Sequence, residues 1–206
     1  MTIKTRGVRL RCAPFIVCTL LVCSSPVVAA DPQGQFAIKG GGQQSCGTFL
    51  TAWEERSSDL GLYAGWIDGY LTGLNQFTDS TYDLASWQTS DTLMGLTQSV
   101  CLQAPGETRF MDAFFQIVRV ITPSRIMVQS PLVALIHEGE STVAYGPVIA
   151  RLKVRLEELG HGEMLTQGEA FDPATATAIA VFQEAEGLPA TGLPDQRTLF
   201  ELFHRR

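Results

Sequence analysis

From Gly168 to Thr198 the chain reads GEAFDPATATAIAVFQEAEGLPATGLPDQRT, and its punctuation leaves few alternatives to two short helices. Asp172 stands where an N-cap belongs, and Pro173 follows at the first helical position, where the missing proline N–H costs nothing. Thr175, Ala178, Phe182 and Ala185 recur at helical spacing as one stripe. Gly187 is placed as the residue that ends the helix, with Leu188 able to fold back on Phe182 and Pro189 blocking continuation. Pro194 and Asp195 open a second helix, whose buried side is Leu199, Leu202 and Phe203.

The run Phe171-Asp172-x-x-Thr175-x-x-Ala178-Ile179-x-x-Phe182-Gln183, then Gly187-Leu188-Pro189-x-Thr191-Gly192 and Asp195-x-x-Thr198, resembles the peptidoglycan-binding domain appended to many bacterial cell-wall enzymes. An earlier helix, Val148 to Gly160, fits the first helix of that domain, with Val148, Leu152, Leu156 and Leu159 inward. The resemblance implies a three-helix domain over residues 145–206 whose ligand is peptidoglycan, either glycan strand or stem peptide. It also implies that Gln183, Thr191 and Arg197, polar residues beside the loops, contact that ligand. Turn satisfaction explains Thr191 nearly as well. Two departures stand out: Lys153 replaces the glutamine usual in the first helix, and Gln167-Gly168 replaces an Asp-Gly pair, with one residue more before Phe171.

The first thirty residues read differently. Lys4, Arg6, Arg9 and Arg11 form a basic segment, Pro14 to Val22 a short apolar core, and Val28-Ala29-Ala30 a small-residue cleavage site. That anatomy is a signal peptide over residues 1–30, cut before Asp31. An uncleaved membrane anchor is the alternative, although the apolar core is shorter than a span needs. A lipoprotein signal at Cys23 is weaker, because Val22 stands where a small residue is expected. With Cys12, Cys18 and Cys23 gone, Cys46 and Cys101 remain, and an even pair in an exported protein points to one disulfide. After residue 30, 21 acidic residues face 11 basic ones, a balance of −10 that repels nucleic acid and anionic lipid. Neither nucleic acid nor, after cleavage, a membrane is expected as a partner. The expected location is the periplasm or cell envelope.

Residues 31–44 are rich in Gly and Gln and read as a flexible arm. From Ser45 the period is helical. Cys46, Phe49, Leu50 and Trp53 share one face; Leu60 to Asn75 carries an apolar stripe of Tyr63, Trp66, Ile67, Tyr70, Leu71 and Leu74. Gly61, Gly65, Gly69 and Gly73 recur beside that stripe, each costing about 1 kcal/mol against alanine, so close packing of another helix is expected there. Asp79 to Asp91 is a polar loop. Its Tyr82 and Trp87 can anchor a partner or simply cover the end of the bundle. Two further helices, Thr92 to Gln103 and Thr108 to Ile121, complete a helical two-cysteine domain over residues 45–122. Residues 123–144, interrupted by Pro131, read as a linker.

Cys46-x-x-Phe49-x-x-x-Trp53, Trp66-Ile67-x-Gly69-Tyr70-x-x-Gly73-x-Asn75 and Cys101 also resemble small two-cysteine helical proteins of the Gram-negative periplasm. These include acid-stress chaperones and immunity proteins against cell-wall amidases, which implies a periplasmic protein as a second partner. Catalytic motifs are not evident. His137-Glu138 begins like a zinc-protease signature, but Ser141 occupies the place of the second histidine. No serine sits in a nucleophile elbow, and Glu157-Glu158 lies on the outward face of its helix. The expectation is therefore an all-α fold, a four-helix disulfide-linked domain followed by a three-helix peptidoglycan-binding domain, with no catalytic residues, metal or cofactor. Its role is to place the helical domain at the wall; the alternatives are a wall-tethered stress chaperone and an inhibitor or immunity protein of a wall hydrolase.

Overall fold

The computed structural model describes residues 30–162 and 165–204. Residues 1–29, with Cys12, Cys18 and Cys23 and nearly all of the expected signal peptide, lie outside the described residues. Four helices come first: α1 (Cys46–Glu54), α2 (Leu60–Phe77), α3 (Ser90–Cys101) and α4 (Phe110–Ile121). Two strands follow, β1 (Leu132–His137) and β2 (Glu140–Tyr145), then α5 (Gly146–Glu158), α6 (Pro173–Ala185) and α7 (Gln196–His204). Caps fix the starts where the sequence offers them. Ser45 Oγ accepts the Thr48 N–H ahead of α1, and Thr89 Oγ1 accepts that of Thr92 ahead of α3.

The core of the first four helices is aromatic. Phe49, Tyr63 and Phe110 meet with ring centroids 4.7–4.8 Å apart. Trp66 stacks on Tyr70 and turns its edge to Phe114. Cys46 and Cys101 are fully buried and joined, with Cα atoms 5.1 Å apart, so α1 is tied to α3. Closing a loop of 55 residues stabilises by about 4 kcal/mol in the chain-entropy description.

The glycines reverse an expectation. A Cβ added at Gly61, Gly65, Gly69 or Gly73 meets nothing within 4 Å, so among the described residues no helix packs on that strip. Closeness occurs instead in the Gly-rich arm. Gly40–Gln43 form a 3-10 turn laid on α2, and a Cβ at Gly42 would stand 2.4 Å from ring atoms of Trp66. Part of the stretch expected to be flexible is therefore the lid on Trp66. Gln44 O accepts the Phe110 N–H and Cys46 N–H donates to Thr108 O, fastening the arm to the start of α4.

The stretch expected as a linker carries the β1–β2 hairpin, paired antiparallel from Leu132–Tyr145 to His137–Glu140. Glu138 and Gly139 turn it, both at positive φ. Leu135 is fully buried with Ala144, Ile149 and Leu193, so the hairpin's inner face belongs to the C-terminal core. The polar loop before α3 is pinned as well: Asp83 and Ile126 exchange backbone hydrogen bonds, and Asn75 Oδ1 accepts the Leu84 N–H. From Ile38 onward the chain forms one compact unit. Trp87 and Ile126, both N-terminal to the hairpin, lie in one cluster with Val148, Leu152, Phe182 and Leu202.

Two tests follow from this packing. Gly42→Ala should lower the melting temperature, costing about 1–3 kcal/mol by overpacking against Trp66, whereas Gly69→Ala should raise stability by up to ~1 kcal/mol as the better helix former on an open face; equal shifts of one sign would contradict the placement. Trp87→Ala should cost about 3–5 kcal/mol and lower the unfolding temperature of both halves in a single calorimetric transition.

Candidate functional site

The C-terminal helices are capped where their sequences offer the residues: α6 at both ends, α7 at its start and α5 at its end. Asp172 Oδ1 accepts the Thr175 N–H at 2.8 Å and its hydroxyl at 2.6 Å. Thr166 Oγ1 donates to the other carboxylate oxygen at 2.9 Å. These bonds, with Lys153 nearby, hold the Asp172 pKa down to about 2. Asp195 Oδ1 accepts the Thr198 N–H at 2.7 Å and so opens α7. α6 ends with Gly187 at φ 67°: Leu188 N–H donates to Gln183 O and Gly187 N–H to Glu184 O. α5 ends the same way, through Gly160, His161 and the Leu156 carbonyl.

Between these caps lies a buried polar centre. Gln183 is fully buried. Its Nε2 faces the Thr191 hydroxyl at 3.1 Å, the Leu193 carbonyl at 2.9 Å and the Thr198 hydroxyl at 2.9 Å, while its Oε1 accepts the Gly192 N–H at 2.9 Å. The side chain read as a ligand contact is thus spent on shaping the 191–193 loop. Gly192 can have no side chain: φ is 66°, and a Cβ would sit 2.6 Å from the His137 ring. Thr191 and Arg197 remain exposed on the surface beside this loop. No hydrogen bond or ion pair engages the Arg197 side chain among the described residues.

Lys153 is the buried group that sequence reasoning passed over. Its side chain is fully enclosed, Nζ donates to Thr166 O at 3.0 Å, and the Asp172 carboxylate stands 4.0 Å away. Ile149, Leu152, Lys153 and Leu156 fall on one helical face, so the position was inward by spacing and only its charge disguised it.

The two aromatic residues of the polar loop part company. Trp87 is buried against Phe203 and His204, with centroids 5.7 and 5.9 Å away, which removes it from the surface where a partner would meet it. Tyr82 is 37% exposed and meets Tyr145 edge to face. Gln196 Oε1 accepts the Thr89 N–H at 3.0 Å and the Thr92 hydroxyl at 2.7 Å, and its Nε2 donates to Trp87 O. A groove of about 480 Å³ runs beside this clamp, between Ala144 and Tyr145 on one side and Pro194 and Asp195 on the other. Among the described residues, no group of three His, Cys, Asp or Glu side chains is placed to hold a metal ion, and no helix is long and apolar enough to cross a membrane.

Asp172 supplies a pH test. Its folded pKa lies below the ordinary aspartate value, so its contribution is complete above about pH 4 and is lost as pH falls toward 2. Asp172→Ala should cost about 1 kcal/mol at neutral pH, and urea titrations at pH 2 should bring variant and parent closer together.

Residues 145–202 match the family model of the peptidoglycan binding domain, PG-binding-1 type. No curated protein and no solved structure matches the chain. The match begins at the end of β2 and closes two residues before α7 does, so it takes in α5, α6, nearly all of α7 and the loop held by Gln183. The C-terminal part of this mostly helical, disulfide-bonded chain is therefore a peptidoglycan-binding domain.

Proposed function

We propose that the protein is an exported, non-catalytic peptidoglycan-binding protein that uses residues 145–206 to dock on the wall and so holds its helical domain, residues 45–122, where a periplasmic protein can meet it. The observation that carries this reading is the family match over residues 145–202. The leader-like anatomy of residues 1–30 supports export. Within the domain, Thr191 and Arg197 are the proposed ligand contacts: Thr191 lies on a loop whose conformation Gln183 fixes from inside, and Arg197 stands beside it in the first turn of α7. That arrangement suits recognition: the Arg197 guanidinium is displayed beside a loop that a buried network already fixes, so binding need not reorganise it. Residues 145–206 carry nine acidic and six basic residues, so general attraction to an anionic polymer is disfavoured and specific contacts must do the binding.

Sedimentation of the full chain with purified sacculi tests the reading. Retention should persist at moderate salt, and Arg197→Ala should weaken it about tenfold, or ~1.4 kcal/mol, with an unchanged melting temperature. Retention that disappears at moderate salt, or soluble muropeptides released by the intact protein, would overturn it.

A further inference from the structure

Arg151, on α5, sits beneath the junction of the two helical sets. Its Nη2 donates to Ser86 Oγ at 3.2 Å and its Nη1 to the Ser124 carbonyl. The guanidinium lies 5.2 Å from the centroid of the Phe203 ring. Its Nε is buried and has no hydrogen-bond partner among the described residues. No carboxylate forms a salt bridge with it among the described residues. Burial pushes its pKa below the ordinary arginine value, as expected for a cation withdrawn from water without a counter-ion.

Two adjoining cavities share Arg151 and Ser124. The first, of about 170 Å³, is walled by Trp87, Val120, Ile121 and Phe203, with Gln88 and His204 as polar edges. The second, of about 450 Å³, adds Arg125 and the apolar residues Ile126, Ala150 and Val154. Neither is lined by any aspartate or glutamate, in a chain whose formal charge is −6. A cationic, acid-free cleft on an acidic protein is the reverse of what composition alone supplies. Arg151 lines both cavities without a carboxylate partner among the described residues, and a guanidinium group pairs with a planar anion. Aromatic and aliphatic walls favour an anion that brings an apolar or amide body with it.

We propose that this cleft is a binding site for an organic carboxylate, anchored by the Arg151 guanidinium and enclosed by Trp87, Val120 and Phe203. A peptide carboxyl terminus fits that description, whether it comes from a wall peptide or from a diffusible acid. The site is separate from the Thr191 and Arg197 surface and does not rest on the peptidoglycan reading. Because Trp87 and Phe203 come from opposite sides of the junction, a bound carboxylate would also tie the two helical sets together.

The test uses the full chain and N-acetylalanine, with N-acetylalaninamide as the uncharged control and inorganic phosphate as the bare anion. The indole N–H signal of Trp87, assigned by its loss in Trp87→Phe, reports occupancy in NMR titrations at constant ionic strength. N-acetylalanine should shift that signal saturably, with the amide and phosphate each at least tenfold weaker. Arg151→Gln should abolish the response. Since that change also removes packing at the junction, Val120→Glu provides the second arm. It places a carboxylate at the mouth from a 65% exposed position, leaves Arg151 untouched, and should weaken N-acetylalanine at least tenfold with the melting temperature unchanged. A muropeptide digest that displaces the probe identifies the wall as the source, and one that leaves it in place identifies a diffusible acid. Equal titration by acid and amide, phosphate binding as tight as the acid, or a Val120→Glu protein that binds as the parent does would overturn the proposal.

Discussion

The burial of Trp87 at the top of the C-terminal core is the contact on which the architecture turns. The residue belongs to the loop between α2 and α3, yet its ring lies against Phe203 and His204 of α7. Around it the polar groups are matched across the same junction, with Gln196 bonded to Trp87, Thr89 and Thr92, and Arg151 to Ser86 and Ser124. Apolar burial supplies the larger energy and is non-directional; the hydrogen bonds fix the orientation. A peptidoglycan-binding domain of about sixty residues has a small core on its own. Here that core is enlarged by Trp87 and Ile126 on one side and by the β1–β2 hairpin on the other.

Inside the C-terminal domain, specificity of fold rests on polar groups placed where apolar ones would be expected. Gln183 satisfies the 191–193 loop, and Lys153 satisfies the Thr166 carbonyl while approaching the Asp172 cap. Each would be costly if left unpaired in a dry interior. Paired, they determine how two irregular loops cross the domain, which repeated leucines could not do. The loop bearing the exposed Thr191 is therefore fastened directly to the helix carrying Gln183.

The glycines show how the same residue serves opposite ends. Gly42 is buried where the backbone approaches the Trp66 ring more closely than any Cβ allows, and Gly41 beside it packs tightly on α2. The four glycines along α2 stand in open space and give that helix no packing advantage within the chain. Their four-residue spacing looked like a packing signature, but spacing specifies only that they share a face, not which face is covered.

Local chemistry was legible from the sequence alone. Asp172-Pro173, Gly187-Leu188 and Asp195 start and stop helices through bonds that span three to five residues, so they read correctly without any knowledge of the fold. The helical period placed Phe49, Tyr63 and Phe182 inward, and an even cysteine pair yielded the Cys46–Cys101 bond. What only the tertiary structure decided involves partners a hundred residues apart or groups whose type misleads. Trp87 could not be assigned to the α7 side until the junction closed, and Gln183 reads as a surface amide until its four partners converge on it. The hairpin escaped because Val133 and Leu135 pack on a C-terminal core that the local pattern around Pro131 does not announce. Lys153 escaped because a charge is assigned to solvent by default, and only the assembled loop supplies the carbonyl that lets an ammonium group stay inside.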